Sequence, residues 1–289
     1  MPAPVVTRFA PSPTGRLHLG HAASALWNAE FAMTQGGTML LRIEDIDPGR
    51  CREPFVAGIF EDLAWLGLAW PQPPRRQSEH LAHYAAALER LRAEGLLYPC
   101  FCTRADIAAE IARAGAAPHA GETQVYPGLC KHLTPAVAAQ RLATGHAACW
   151  RLHMDRAIRK AGPLRWWDAG HGWRNAAPDR QGDVVLARKD APVSYHLAVT
   201  LDDAAQGVTD VIRGEDLLDA TDIHRLLQAL LDLPTPRYRH HPLLRDETGA
   251  RLAKRDNAPA LADLRAQGWT PEAVRARIGR MPDALIQPI

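Results

Sequence analysis

Two histidines and a glycine near the start of the chain have the types and spacing of a nucleotide-binding site. Residues 8–21 read Arg-Phe-Ala-Pro-Ser-Pro-Thr-Gly-Arg-Leu-His-Leu-Gly-His, so that His18 and His21 flank Gly20. The missing side chain of Gly20 would let a flat base or a phosphate approach the backbone closely. The His-x-Gly-His pattern alone is equally compatible with two surface histidines beside a helix cap.

The elements on either side of this segment favour the first interpretation. Residues 5–9 have the β-branched and aromatic content of a strand, a proline- and glycine-rich loop follows, and residues 21–33 favour a helix. A strand–loop–helix unit offers backbone N–H groups and the positive end of a helix dipole to an anion. A P-loop is unlikely, because His21 and Ala22 stand where that motif requires Lys and Ser or Thr.

A group of acids follows the next predicted strand, residues 38–45. Glu44, Asp45 and Asp47 lie at its carboxyl end, where open parallel sheets bind ligands, so they are candidates to meet an amine, a ribose or a metal. The alternative is that they are ordinary solvated acids of a loop. Two segments with helical spacing complete a β-α-β-α start, residues 53–66 and 80–94. The sequence therefore predicts an α/β fold with a doubly wound parallel sheet.

Three cysteines in the next part of the chain could supply soft ligands to a tetrahedral zinc ion. They are Cys100, Cys102 and Cys130, and the candidates for the fourth ligand are Tyr126, His119 and His132. The alternative is that the three cysteines are simply buried, since Cys-x-Cys is a less diagnostic spacing than Cys-x-x-Cys. The other two, Cys51 and Cys149, are expected to be packing residues outside the cluster.

Further strands are predicted in the middle of the chain, at residues 149–154, 182–190, 194–203 and 208–216. Three tryptophans between them, Trp166, Trp167 and Trp173, are expected to cap a small core. A helix over residues 220–231, with its apolar residues on one face, closes the unit.

Two polar residues lie at the ends of these later strands. Tyr195 is near the start of the strand predicted at 194–203, and Arg213 comes directly before a glycine. Arg213 could form a fork for a carboxylate. The alternative is a salt bridge to Glu215 or Asp216.

The last part of the chain carries a candidate phosphate ligand. Residues 242–256 read as a hairpin that runs into a short exposed loop with Lys254, whose mobile ammonium could reach a phosphate. An exposed lysine with no role is the ordinary alternative. Two helical segments finish the chain, residues 259–267 and 271–278.

Length and composition are those of an ordinary globular protein, with 289 residues, 47% apolar residues and a formal net charge of +2. That charge neither requires nor excludes nucleic acid as a partner. The sequence has no apolar run of membrane-spanning length and no signal-peptide pattern, so we expect a cytoplasmic protein with no membrane partner. Five cysteines in such a chain favour free or metal-bound thiols over a disulfide framework.

The motifs occur together in a fixed order, and the chain resembles the catalytic half of class I glutamyl-tRNA synthetases over nearly its whole length. Residues 8–21 resemble that family's extended HIGH motif, and Leu-Arg-Ile-Glu-Asp-x-Asp at 41–47 resembles its second strand. Arg-Leu-Ala-Lys-Arg at 251–255 resembles its KMSKS loop, although it retains mainly the lysine. The resemblance implies the Rossmann-type sheet of class I synthetases with a zinc-containing insertion and a short helical C-terminal part.

Carried over residue by residue, the resemblance implies three sets of site residues. Glutamate would be held by Arg8, Ser12, Glu44, Tyr195 and Arg213. ATP, accompanied by Mg²⁺, would be held by His18, Gly20, His21 and Lys254, with the histidines and the lysine as catalytic residues. One structural zinc ion would be held by Cys100, Cys102, Tyr126 and Cys130.

The resemblance also implies a division of the chain into four parts. They are the first half of the catalytic domain (1–97), an insertion with the zinc site and an acceptor-binding-like subdomain (98–190), the second half of the catalytic domain (191–240), and the KMSKS-like loop with C-terminal helices (241–289).

The length after the KMSKS-like loop indicates a subfamily. Only 35 residues follow Lys254, where a full glutamyl-tRNA synthetase carries a long helical anticodon-binding region. A shortened catalytic core with a Cys-x-Cys and Tyr-x-x-x-Cys insertion is similar to glutamyl-Q tRNA(Asp) synthetases, which join glutamate to the queuosine base in the anticodon of tRNA(Asp). The implied partners are L-glutamate, ATP and queuosine-containing tRNA(Asp), and we expect a monomer.

Three alternative functions remain open at this point. A truncated glutamyl-tRNA synthetase would charge the 3′ end of a tRNA and differ only in its acceptor. A nucleotidylyltransferase with the His-x-Gly-His motif is a second alternative, although Arg8, Ser12, Glu44 and Arg213 favour an amino-acid pocket. A non-catalytic tRNA-binding module derived from a synthetase is the third, and it would bind tRNA without activating glutamate.

Overall fold

The structure is a computed structural model that describes residues 4–113, 125–244 and 259–286. Within these ranges the strands are β1 (Val6–Phe9), β2 (Thr38–Ile43), β3 (Arg75–Arg76), β4 (Leu97–Cys100), β5 (Cys149–Leu152), β6 (Arg165–Asp168), β7 (Gly172–Asn175), β8 (Val185–Ala187), β9 (Asp210–Gly214) and β10 (Arg237–His241). The α-helices are α1 (Leu19–Thr34), α2 (Glu53–Trp65), α3 (Leu81–Ala93), α4 (Arg104–Arg113), α5 (Pro135–Ala143), α6 (Met154–Ala161), α7 (Tyr195–Ala205), α8 (Ala220–Leu230), α9 (Leu261–Ala266), α10 (Pro271–Ile278) and α11 (Asp283–Ile286).

The central sheet consists of two parallel halves that meet between β1 and β9. In one half β2 lies between β1 and β3, and in the other β10 lies between β9 and β6, with all these pairs parallel. The halves touch where the Thr209 N–H donates to the Val6 carbonyl at 2.9 Å. From β1 the chain continues to β2 on one side of β1, and it later returns to β9 on the other side. This reversal of the strand order makes a topological switch point. This arrangement confirms the predicted α/β class.

Helix α1 covers the first half of the sheet and anchors the larger core. Its residues Leu26 and Phe31 are buried in one cluster with Leu63 of α2, Val274 of α10 and Ile212 of β9. Each such side chain contributes roughly 1.5–3 kcal/mol when it is fully removed from water. The helix ends at Thr34, and Gly36 then turns the chain with a φ of 62°, in the left-handed region that glycine adopts without strain.

Helix α7 is where the sequence prediction is wrong, because residues 194–203 were expected to form a strand. The helix packs against α3, α8 and β8, and every residue from Leu197 to Asp203 is buried. A helix that is enclosed on all sides shows the same uninterrupted apolar run as a buried strand, so that periodicity does not distinguish them. Tyr195 therefore lies in the first turn of a helix.

A separate antiparallel sheet in the order β4-β5-β8 carries the cysteines of the predicted insertion. Cys100 at the end of β4 is the cross-strand partner of Cys149 in β5. The strands predicted at 149–154 and 182–190 are both present, although each is shorter than expected.

The hairpin of β6 and β7 forms one edge of the central sheet. Trp166 is buried against Val211 and Tyr238, as predicted for a core residue. The prediction is wrong for Trp173, which is 63% exposed. Trp173 pairs across the hairpin with Trp167, and successive side chains of a strand point to opposite faces, so the Trp167–Trp173 pair lies on the face away from Trp166.

Most other predicted elements are present with ends shifted by only a few residues, including α1, α2, α3, α8, α9 and α10. Residues 242–244 have no regular structure, and the remainder of the predicted hairpin at 242–256 lies outside the described residues. No helix in the described ranges has the length and apolarity needed to cross a membrane.

Candidate active site

A cavity of about 410 Å³ opens at the carboxyl ends of β1 and β9, at the switch point of the sheet. This volume lies within the usual range of small-molecule sites. Every predicted glutamate or ATP residue that the structure describes lines it, namely Arg8, Ser12, His18, Gly20, His21, Glu44, Tyr195 and Arg213. Lys254 lies outside the described residues. The cavity thus brings together residues that are more than 200 positions apart in the chain.

The His-x-Gly-His segment forms the N-terminus of α1, and its two histidines are held by backbone groups. His18 caps the helix, with its Nδ1 accepting from the Gly20 N–H at 3.1 Å. The Nδ1 of His21 accepts from the His18 N–H at 3.2 Å. Because Nδ1 is an acceptor in both rings, a neutral imidazole carries its proton on Nε2 at each position. The segment therefore places two imidazoles and a helix N-terminus at the wall of the cavity, and a helix N-terminus favours an anion.

The loop that precedes α1 is fastened to the neighbouring elements. The Glu44 N–H donates to the Pro11 carbonyl at 3.0 Å, and the Arg52 N–H donates to the Pro13 carbonyl at 3.1 Å. On the other side, His18 forms an isolated antiparallel bridge with Ala260. Leu243 and Leu244 also line the cavity. The chain therefore lies beside this site both immediately before and shortly after residues 245–258.

Arg8 and Glu44 belong to a buried ion network that includes two residues the sequence analysis missed. Asp203 Oδ1 accepts from Arg8 Nε at 3.1 Å and from an Arg42 guanidinium nitrogen at 2.8 Å. The other terminal nitrogen of Arg42 lies 3.2 Å from Glu44 Oε1. The positive charges of Arg8 and Arg42 are thus balanced within the protein by Asp203 and Glu44.

The two acids of this network respond differently to burial. Burial raises the pKa of Glu44, although Arg42 and Arg8 act in the opposite direction. For Asp203, burial also opposes the charged form, but the charges and hydrogen bonds of Arg8 and Arg42 outweigh it and lower the pKa of that carboxyl. Asp203 is therefore held as the carboxylate between two guanidinium groups.

Arg213 lies at the end of β9 and is 5% exposed. Its hydrogen bonds all go to neutral groups: His240 Nε2 (3.1 Å), His224 Nδ1 (3.2 Å), the Tyr195 hydroxyl (3.4 Å), the Leu217 carbonyl (3.2 Å) and Thr221 Oγ1 (2.7 Å). Among the described residues no carboxylate oxygen lies within 4.0 Å of this guanidinium, so the alternative of a salt bridge to Glu215 or Asp216 is wrong. Arg213 brings a buried positive charge to the wall of the cavity.

The other acids predicted near β2 are held by protein groups. Asp45 accepts from the Ser78 N–H and hydroxyl, both at 2.8 Å, and pairs with Arg76. Asp47 pairs with Arg50 and Arg188 and lines a smaller cavity of about 90 Å³ that shares Ser12, Glu44 and Tyr195 with the main one.

Three of the predicted metal ligands converge at the end of β4, beside the antiparallel sheet. The Sγ atoms of Cys100, Cys102 and Cys130 lie within 4.8 Å of one another, and those of Cys102 and Cys130 are 3.4 Å apart. Zn–S bonds of about 2.3 Å in a tetrahedron place sulfurs roughly 3.8 Å apart, so the cluster has the dimensions of a metal site. The Tyr126 hydroxyl lies 3.3 Å from Cys100 Sγ and 3.6 Å from Cys102 Sγ.

Neither histidine candidate for the fourth ligand is found beside the three sulfurs in the described part of the chain. His132 is exposed and is not part of the cluster, and His119 lies outside the described residues. Cys149 is buried, as expected for a packing residue, but it also adjoins Cys100. A hydrogen bond from the Cys149 thiol, with others from Tyr126 and Arg151, lowers the pKa of Cys100 to about 4. A thiolate at Cys100 suits a metal ligand.

The site residues that the sequence did not identify have one property in common: each has a partner that is remote in sequence. Arg42, Asp203, His224 and His240 complete the environment of Arg8, Glu44 and Arg213. The sequence does contain a signal for Arg42. It lies in β2, two positions before Glu44, and residues at i and i+2 of an extended chain share a face. No local pattern identifies His240, which lies in a strand that the sequence analysis did not predict.

Comparison with known proteins agrees with this geometry. A family model described as tRNA synthetases class I (E and Q), catalytic domain, matches residues 4–283. The protein named glutamyl-Q tRNA(Asp) synthetase from Rhodobacter capsulatus is 49% identical over 95% of this chain and the whole of that protein. A protein of the same name from Symbiobacterium thermophilum is 42% identical over 97% of this chain and 87% of that protein.

A solved structure is also similar. The glutamate tRNA ligase from Elizabethkingia meningosepticum, crystallised with its amino acid, superposes with a TM-score of 0.74 at 30% identity, covering 88% of this chain and 52% of that one. The family match spans the central sheet, the cavity and the cysteine cluster. The chain therefore belongs to the class I tRNA synthetases of the E and Q type, a family of ligases, and carries their catalytic domain.

Proposed function

We propose that the protein activates L-glutamate with ATP to form glutamyl-adenylate and then transfers glutamate to the queuosine base of tRNA(Asp). The observation that carries the first step is the shared cavity, in which the His-x-Gly-His helix start and the buried arginines face one space. Its volume is that of a small-molecule site, and its charged side chains suit an amino acid. The second step rests on the two relatives named glutamyl-Q tRNA(Asp) synthetase.

The charges of the cavity complement those of glutamate. The substrate has two carboxylates and one ammonium, and Arg8, Arg213 and Glu44 supply opposite charges in a partly dry site. Ser12 adds a hydroxyl at the same wall. Glutamine would leave a buried guanidinium without a charged partner, which costs about 1–3 kcal/mol.

The counter-ions indicate which arginine takes which carboxylate. The α-carboxylate loses its charge when it becomes the acyl group of the adenylate, whereas the side-chain carboxylate stays charged throughout. Arg8 is already balanced by Asp203, so it tolerates that loss. Among the described residues the partners of Arg213 are all neutral, so its charge has no counter-ion there and we assign the side-chain carboxylate to Arg213. Because the five contacts use all five N–H donors, the carboxylate would displace one of them, and the longest is the 3.4 Å bond to the Tyr195 hydroxyl.

In the proposed first step the α-carboxylate oxygen attacks the α-phosphorus of ATP in line, and pyrophosphate leaves. Mg²⁺ bound with ATP would neutralise part of the charge of the phosphates. His18 and His21 would donate from Nε2 to the phosphate oxygens, and Gly20 would let the nucleotide approach the helix N-terminus. The acceptor hydroxyl then attacks the activated carbonyl, and AMP leaves. No covalent enzyme intermediate is required.

Lys254 is assigned to the same phosphates. Leu244 lines the cavity and Ala260 pairs with His18, so both ends of the intervening stretch are next to the nucleotide side of the site. Ala260 follows Lys254 by six positions, a span of at most about 20 Å. A lysine ammonium acts there as a mobile point charge for a phosphate.

A structural zinc ion is proposed for the cysteine cluster, held by Cys100, Cys102, Cys130 and Tyr126. The three sulfurs and the phenol oxygen provide the four ligands of a closed tetrahedral site. Such a site would brace the end of β4 against the loop that carries Cys130. The ion would take no part in the reaction.

Glutamate-dependent exchange of pyrophosphate into ATP tests the first step. We expect exchange without any tRNA, and its absence would refute the proposed function. Glutamine, tested at the same concentration, serves as the control and should support little exchange.

A comparison of two acceptors tests the second step. Radiolabelled glutamate should attach to tRNA(Asp) that contains queuosine and not to tRNA(Asp) that lacks it. Equal labelling of both would contradict the queuosine assignment. Loss of labelling on queuosine-containing tRNA(Asp) from which the 3′-terminal adenosine has been removed would instead favour the alternative of 3′-end charging.

A further inference from the structure

Two buried histidines hold Arg213 through neutral hydrogen bonds. His240 is 4% exposed and His224 is 3% exposed, and each presents a ring nitrogen to the guanidinium as an acceptor. An arginine has only donors, so the ring nitrogens that face it, Nε2 of His240 and Nδ1 of His224, are both unprotonated. The contacts with Arg213 therefore fix the tautomer of both rings.

The far side of each ring is also engaged. His240 Nδ1 lies 2.6 Å from Asp168 Oδ2, so its proton points to that carboxylate. His224 Nε2 lies 3.2 Å from His196 Nδ1, so its proton points to a third imidazole. The result is a continuous chain of groups in the order Asp168, His240, Arg213, His224 and His196.

The surroundings keep these rings neutral. Burial, together with the charge of Arg213, lowers the pKa of His224 well below its usual value. At His240 the same two effects outweigh the opposite effect of Asp168, and the pKa falls to about 4. The other titratable groups that act on the two rings are Arg8 from β1, His196, and His171 next to Asp168. Asp168 reaches Arg213 only through the His240 ring.

We propose that His224 and His240 are specificity-determining positioning residues, which fix the Arg213 guanidinium in place while leaving its charge for the side-chain carboxylate of the substrate. This inference rests on the proposed function and goes beyond it by naming what makes Arg213 selective. A carboxylate in either place would pair with Arg213 directly and remove the advantage of glutamate over glutamine. An apolar residue would leave a guanidinium donor unsatisfied and let the fork move.

Two pairs of variants separate these effects. His224→Asn keeps an acceptor where Nδ1 stands, and His240→Gln keeps one where Nε2 stands, so we expect the KM for glutamate within about threefold of the unmodified protein. His224→Leu and His240→Leu should raise that KM at least tenfold with a smaller change in kcat. Thermal unfolding of each variant verifies that it is folded.

The decisive measurement is the ratio of kcat/KM for glutamate to that for glutamine in pyrophosphate exchange, with His224→Asp as the test variant. His224→Asn is the neutral control of the same size, and His83→Asn is a control at an exposed histidine. We expect His224→Asp to lower the ratio at least tenfold relative to His224→Asn.

The outcomes distinguish this inference from the proposed function. Equal ratios for His224→Asp and His224→Asn in folded, active protein would overturn the role of the histidines and leave glutamate activation standing. The absence of glutamate-dependent exchange in the unmodified protein would overturn both. A lowered ratio in His224→Asp, with His83→Asn unchanged, supports the inference.

Discussion

Asp203 Oδ1 accepts from Arg8 Nε at 3.1 Å although the two residues are 195 positions apart in the chain. The same oxygen accepts from Arg42 at 2.8 Å. One carboxylate of α7 therefore ties the ends of β1 and β2 to the helix that carries Tyr195. We therefore expect the stability of the protein to depend on this contact.

Replacing Asp203 with Asn should destabilise the protein by about 3–5 kcal/mol, because it leaves two buried guanidinium groups without their shared carboxylate. Urea unfolding followed by circular dichroism measures the change. Glu61→Gln is the control, since Glu61 pairs with Arg16 at the surface and should contribute less than about 1 kcal/mol. A loss of less than 1 kcal/mol in Asp203→Asn would contradict the structural role of the network.

Replacing Arg213 with Lys should raise the KM for glutamate about 100-fold, because an ammonium cannot reproduce the planar fork that reaches five acceptors. Tyr195→Phe should raise it less than tenfold, since the hydroxyl lies 3.4 Å from the guanidinium. Steady-state pyrophosphate exchange measures both. Arg92→Lys, at an exposed position, is the control. The reverse order of effects would count against the assignment of Arg213.

The cost of His240→Gln in unfolding free energy should depend on pH. At pH 7.5 His240 is neutral in both the folded and the unfolded protein. At pH 5 the unfolded chain binds a proton at its ordinary pKa, whereas the folded protein does not, because its pKa is about 4. Between pH 7.5 and pH 5 the free energy of unfolding of the unmodified protein therefore falls by about 2 kcal/mol through His240, and the variant lacks this loss.

Urea unfolding of both proteins at pH 7.5 and pH 5 measures this difference. We expect the variant to be clearly less stable at pH 7.5 and to lose most of that deficit at pH 5. His83→Asn should show no such dependence, because His83 is exposed. A deficit that is the same at both pH values would contradict a buried, neutral His240.

Metal analysis of the purified protein should give about one zinc per chain. Cys102→Ser should lose it, because Cys102 is one of the converging ligands, whereas Cys51→Ser should keep it, because Cys51 lies elsewhere. A chelator should lower the unfolding temperature of the unmodified protein and leave Cys102→Ser unaffected. Full zinc content in Cys102→Ser would remove Cys102 from the site.

Lys254→Ala should slow glutamate-dependent exchange about 100-fold through the loss of a charge that stabilises the transferring phosphate. Its zinc content should stay at the unmodified level. Lys160→Ala is the matched control, because Lys160 is an exposed lysine paired with Glu94. An unchanged exchange rate would exclude Lys254 from the site.

The sequence predicts the elements that combine local signals with an amphipathic pattern. The strand, loop and helix around His18 and the helix over residues 271–278 appear where turn residues and propensities predict them. The prediction is wrong for α7, because burial on all sides erases the helical period. Strand β10 was not predicted, because its sequence Arg-Tyr-Arg-His-His is polar although four of its five residues are buried.

The candidate site likewise contains residues that the sequence identifies and contacts that it does not. The residues that line the cavity come from motifs, so the sequence and its family resemblance identify them. The contacts that orient them join β2 to α7 and β9 to β10, and local patterns carry no information about such pairs. Asp203 and His240 are polar residues whose burial is compensated only by partners from other elements.

The cap of α1 has a consequence for how substitutions at His18 are interpreted. His18 both closes the first turn of the helix through Gly20 and faces the cavity. The cap of the helix and the proposed contact with ATP therefore depend on one side chain. Ser, Thr, Asp or Asn could meet the capping demand, whereas the proposed contact with the nucleotide needs the imidazole, so His18→Asn should keep the helix and lose exchange activity.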